Sequence, residues 1–154
     1  MTYHPPAYLP SATHSYLDRA ADCLREATEC TEVPQRYALA HVSALRATAA
    51  LLAARATPTS TRRRRQLTAW QLLAQVAPEF SEWAAFFAAG ATKRAAAEAG
   101  SRRAVTSREA DDLIRDAEHF LRLISDSLGV HPFLSELVPS GPLLSGTVSP
   151  ARSA

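Results

Sequence analysis

Alanine limits what this chain can fold into more than any other residue does. It dominates the apolar set, while β-branched and aromatic residues are scarce. Alanine is the best helix former, and its short side chain lets neighbouring helices approach closely. No segment alternates apolar and polar residues as a half-buried strand does, and no internal repeat stands out. The sequence therefore predicts an all-α fold, an antiparallel helical bundle of four main helices plus one short helix.

Punctuation along the chain places these helices. Residues 1–14 carry three prolines and little pattern and read as a flexible N-terminal arm. A first helix is expected over residues 15–30, with Tyr16, Ala20, Cys23, Leu24 and Ala27 at the spacing of one buried face and Ser15 near its start. Pro34 suits the first turn of a second helix running to residue 56, with Ala38, Val42, Leu45, Ala49 and Leu52 as its buried stripe. The Thr57–Thr61 stretch, with Pro58 in it, ends that helix, and Arg62–Arg65 follow in the same connection. Thr68 and Gln71 form a capping box for a short third helix ending near Val76. Pro78 restarts a fourth helix to about residue 99, striped by Phe80, Trp83, Ala84, Phe87 and Ala91. Gly100 stops it. A second capping box, Thr106 with Glu109, opens a last helix that Gly129 closes. Its buried face is Leu113, Ala117, Phe120, Leu121, Ile124 and Leu128. Residues 15–129 thus make one helical domain, and 130–154, rich in Pro, Ser and Gly, read as a disordered tail.

A chain of 154 residues, 47% hydrophobic, fits one domain with a real core. No apolar run reaches the ~20 residues of a membrane span, and the N-terminus has neither the basic nor the apolar part of a secretory signal. These absences give a cytoplasmic expectation with no membrane partner. Cys23 and Cys30, seven residues apart on one helix, lie roughly 10 Å apart along its axis, too far for a disulfide.

Charge is segregated. Residues 33–77 hold seven arginines and no acid, residues 11–32 five acids against two arginines, and residues 106–128 six acids against three arginines. Four of the seven are Arg62, Arg63, Arg64 and Arg65. Adjacent arginines neutralise phosphates and chelate them through the guanidinium fork, which makes this run the candidate nucleic-acid contact. The same run read structurally is a solvated basic face beside acidic neighbours.

Catalytic signatures are largely missing. There is no Gly-rich phosphate loop, no CxxC and no HExxH, and His4, His14, His41, His119 and His131 have no metal-ligand spacing. The expectation is no metal and no cofactor.

Three segments carry a family resemblance: QRYALAHVSALR at 35–46, WQLLAQVAPEFSEWAAFFAAG at 70–90 and READDL at 108–113. Together they resemble actinobacterial HEPN-domain proteins of the SAV type (higher eukaryotes and prokaryotes nucleotide-binding), over roughly residues 15–128. The resemblance implies a helical bundle, often dimeric. Some members cut or process RNA, and others lack the catalytic motif and bind nucleotides or RNA only. The active motif is an Arg, four to six residues, then a His, in a late helix. Two pairs compete for it. Arg36 and His41 have the spacing but sit in helix two, where five residues turn about 140° and the side chains diverge. Arg115 and His119 sit in the last helix on one exposed face, with one residue too few between them. Their ordinary reading is a solvated helix with Asp111–Arg115 and Glu118–Arg122 ion pairs. In an active site the His would act as acid or base on the ribose and the Arg would stabilise the phosphorane. The resulting expectation is a nucleotide- or RNA-binding homodimer without competent catalysis. The alternatives are a metal-independent endoribonuclease of toxin type and a module that binds an unidentified protein partner.

Overall fold

The computed structural model of the chain describes residues 8–55 and 67–130. The run Arg62–Arg65, residues 1–7 of the arm and all but the first residue of the tail lie outside the described residues. The rest is helical, with no strand among the described residues. In order, α1 is Ser11–Glu29, α2 Val33–Arg55, α3 Ala69–Val76, α4 Ser81–Ala89, α5 Ala91–Glu98 and α6 Ser107–Ser127, with a single 3₁₀ turn, Pro78–Phe80, leading into α4.

The all-α expectation holds, and the element ends follow the chemistry. Both capping boxes form. The Thr68 hydroxyl accepts from the Gln71 N–H at 3.2 Å and the Thr106 hydroxyl from the Glu109 N–H at 3.1 Å, and each partner side chain reaches back to the cap backbone. At the other ends, Gly100 (φ 87°) and Gly129 (φ 70°) take the left-handed conformation that closes a helix. At the first, Ser101 N–H reaches the Ala96 carbonyl at 3.1 Å and Gly100 N–H the Ala97 carbonyl at 3.0 Å, the double bond of a Schellman turn.

Two boundaries differ from expectation. Helix α1 starts at Ser11, one turn before Ser15, so residues 11–14 are helix and not arm. The extra turn brings Thr13 into the core, where its hydroxyl donates to the Ala50 carbonyl at 3.0 Å. The fourth helix is not continuous. It is the 3₁₀ turn, α4 and α5, broken at Gly90.

Helix α2 is the axis of the molecule. It packs against α1, α3, α5 and α6. Helix α1 runs antiparallel to it: Thr13 meets Ala50, Ala20 meets Ser43 and Ala27 meets Arg36. The Ser43 hydroxyl reaches the Ala20 carbonyl at 2.7 Å, so the α1 backbone lies within reach of a one-carbon side chain. That approach is open only because Ala40, Ala44, Ala47 and Ala50 are small, and all four are fully buried. Helix α4 is antiparallel to α2, with Glu79 bonded to Arg55 at one end and Phe87 to His41 further on.

The buried stripe expected on α2 is displaced. Val42, Leu45, Ala49 and Leu52 are only half-buried, while Tyr37, Ala40, His41, Ala44, Ala47, Thr48 and Leu51 are buried. The expectation that no stretch is long and apolar enough to span a membrane also fails for α2, which passes by length and composition. Within the bundle 56% of its apolar window is buried, so the other helices supply its apolar surroundings.

The aromatic core holds Phe80, Phe87 and Phe120 as expected, while Trp83 and Ala91 of the expected stripe are only half-buried. Phe87 is its hub, stacked on Trp70 (5.2 Å) and Trp83 (5.9 Å) and tilted against Phe120 (5.0 Å), which in turn meets Phe80 edge-on (6.1 Å). Leu113 and Ile124 complete it from α6.

Candidate functional site

His41 lies at the centre of the molecule, 1% exposed, with Trp70 and Phe87 edge-on to its ring. Its Nε2 is 2.8 Å from the Phe87 carbonyl oxygen. A carbonyl can only accept, so Nε2 carries the proton and donates it. The same carbonyl accepts the Gly90 N–H at 3.0 Å. His41 therefore caps α4 from a neighbouring helix at the point where α4 gives way to α5. Nδ1 is buried with no hydrogen-bond partner in the protein. Burial pushes the imidazole pKa down. The Phe87 bond opposes this, Arg94 adds to it and Glu98 opposes it. The ring is a neutral structural donor, closed to solvent.

Gly90 is required there. A Cβ on it would stand 2.9 Å from the Tyr37 hydroxyl and 3.4 Å from His41 Cδ2. Tyr37 is itself buried, and desolvation raises its pKa, with Lys93 lowering it and Glu109 raising it.

Arg36 points elsewhere. Its Nε donates to the Ala27 carbonyl of α1 at 3.4 Å, and its guanidinium pairs with Asp111 in the first turns of α6. The structure thus sends Arg36 to the α1/α6 side and His41 to the α4 side, and does not bring this pair together.

Arg115 and His119 do share an exposed face of α6. Arg115 pairs with Asp112, not with Asp111, because Asp111 is taken by Arg36. His119 is exposed and lies edge-on to the half-buried Trp83 at 5.4 Å. Phe86, 46% exposed, meets Trp83 edge-on at 6.3 Å. Asp116 sits on the same face. Burial raises its pKa, Asp112 reinforces the shift, and Arg115 and His119 oppose it. The face therefore offers an aromatic pair, an imidazole, a guanidinium and a carboxyl reluctant to ionise. No group of three or more metal-type ligands converges among the described residues.

Reading charge by blocks missed one segment. Residues 91–109 hold five cations against two acids, within described residues that total twelve cations and fourteen acids. The signal was present in the sequence, masked because the block straddles a helix end, a turn and the next helix start.

The SAV_6107-like HEPN family model matches residues 27–125, which includes all of α2 to α5, both Arg/His pairs and most of α6. No curated protein and no solved structure matches the chain.

Proposed function

Since the chain belongs to the SAV_6107-like HEPN family, we propose that it is a nucleotide- or RNA-binding helical domain that works as a homodimer without competent catalysis. The observation that carries the non-catalytic reading is His41, whose Nε2–H is committed to the Phe87 carbonyl and whose ring is closed to solvent. A general acid or base needs a proton within reach of substrate.

The dimer reading rests on the α4/α6 face. Among the described residues the exposed large apolar side chains are Tyr8 and Phe86, and Phe86 sits beside Trp83 and His119. An isologous contact repeats every pairing twice. With α6 crossing its symmetry mate near His119, each Asp116 would face the other copy's Arg122, an opposite-charge pair on both sides of an aromatic centre.

A second reading, a metal-independent endoribonuclease, is favoured by one observation: Arg115, Asp116 and His119 lie on this same face, where a dimer would appose two sets. One assay separates the readings. Wild type, His119→Ala and His41→Ala are incubated with structured and unstructured RNA in EDTA. The proposal expects binding without cleavage in all three. Cleavage that His119→Ala abolishes while circular dichroism stays unchanged would promote the nuclease.

A further inference from the structure

We infer that the end of the bundle where α5 passes into α6 is the RNA contact, with phosphates on Arg102, Arg103 and Arg108 and a base in the adjoining cleft. This rests on the RNA-binding reading and names the surface that would serve it.

Pairing and position together mark these arginines out. Half of the twelve described cations are held by acids: Arg25 by Asp22, Arg36 by Asp111, Arg55 by Glu79, Lys93 by Glu109, Arg94 by Glu98 and Arg115 by Asp112. Of the rest, Arg19, Arg46 and Arg122 are scattered over three helices, and the other three lie together. Arg102, Arg103 and Arg108 are exposed and have no ion-pair partner among the described residues. They fall within seven residues of chain. The Schellman turn at Gly100 delivers the first two straight off the end of α5. Nothing lies within 4 Å of where a Gly100 Cβ would be, so the glycine serves the backbone turn and not packing.

Arg108 stands against local stability. It is the second residue of α6, where the helix dipole is positive and a cation is unfavourable. A phosphate bound across Arg108 and the turn reverses that sign. Segment 91–109 carries a net charge of +3 against +2 for the full chain, so it concentrates positive charge to which a polyanion is drawn.

Beside the arginines, between the first turn of α2 and the end of α5, lies a cleft of about 480 Å³. Pro34, Ala38 and Ala97 give it an apolar surface, Arg102 stands on its rim, and Glu32 and Glu98 line it. This volume suits a nucleobase with its sugar. Carboxylates only accept hydrogen bonds, so the cleft suits a base edge that carries amino or imino hydrogens. A base reaches such a cleft only from a single strand, or from a nucleotide turned out of a helix.

The test is a salt titration of binding to single-stranded RNA oligonucleotides. It compares wild type, the triple variant R102Q/R103Q/R108Q and a control of equal charge, R19Q/R25Q/R46Q. An abasic oligonucleotide of the same length is the second probe. Removing three phosphate contacts should lower the slope of log affinity against log salt by about 2 and weaken binding of order a hundredfold at 0.1 M salt. The control should stay near wild type, and the abasic oligonucleotide should bind several-fold more weakly. Circular dichroism confirms that the variants remain folded. If wild type binds and the R102Q/R103Q/R108Q protein matches it, the inference falls and RNA binding stands. Equal losses in both triple variants overturn it in favour of diffuse charge. Equal binding of the abasic strand overturns the role given to the cleft. If wild type binds no RNA, the functional proposal falls and this inference with it.

Discussion

A histidine whose proton holds a backbone carbonyl has a stability consequence. In the folded chain the His41 pKa lies below its ordinary value near 6.5, so between that value and the folded pKa the unfolded chain binds more protons. His41 thus gives its full stability above about pH 6.5 and loses it as pH falls towards the folded pKa, at up to about 1.4 kcal/mol per pH unit. Urea unfolding of wild type and His41→Gln from pH 7.5 to 4.5 checks this. The glutamine protein should start less stable and lose less on acidification over that window, and parallel curves would refute the assignment. Gly90 gives a second expectation. Gly90→Ala gains helix propensity of about 1 kcal/mol but drives a methyl against the Tyr37 hydroxyl, at about 1–3 kcal/mol. The net should be destabilising in wild type and stabilising on a Tyr37→Phe background, read from the two unfolding midpoints. Neither effect was legible in the sequence, because Gly90 and Phe87 are distant in the chain from Tyr37 and His41. The 140° divergence of Arg36 and His41 was legible, since it needs only helix geometry.

Among the elements, those with local signals were placed well and those governed by neighbours were not. Thr68 and Thr106 each cap their helix within four residues of sequence, and both boxes form as read. Substituting either by Ala should lower unfolding free energy by about 1 kcal/mol, measured by chemical denaturation, with Thr106→Ala also freeing Glu109 at its backbone contacts. Helix α6 was equally clear, because it is covered on one side and its large residues mark that side. Helix α2 misled for the opposite reason. It is covered from several directions, and its core-facing residues are mostly Ala, Ser and Thr. Periodicity of large apolar residues therefore picked out Val42, Leu45 and Leu52, which lie in the less covered sector. The break between α4 and α5 also escaped local reading, since the Phe87 carbonyl that ends α4 is held by a side chain from α2.

At the scale of the whole molecule, the Trp83–Phe86–His119 face makes self-association testable. Phe86→Glu places a charge at the proposed two-fold contact and removes one edge contact of the Phe87 hub, 5.1 Å away, while leaving the buried ring itself in place. Sedimentation should show wild type as a dimer and Phe86→Glu as a folded monomer. A wild-type monomer at all concentrations would remove the dimer. The hub itself should be intolerant: Phe87→Ala removes a fully buried ring at the junction of five aromatic contacts and should cost about 3–5 kcal/mol, seen as a large loss of thermal stability. The family assignment was visible from segments of α2, α3 with α4, and α6. The basic end at Arg102–Arg108 was passed over although its charges are close in the chain, because the run straddles the end of α5, a turn and the start of α6.

Helix α2 also has a history during synthesis. It leaves the ribosome before α3, α5 and α6 do, with only α1 available to shield it. For that interval the chain displays an apolar stretch fit for lipid, and a nascent chain in this state is a client for whatever binds such stretches first. A fragment ending before residue 107 would leave uncovered the part of α2 that α6 packs on. Rapid completion of the C-terminal helix is thus what commits the polypeptide to a bundle in water.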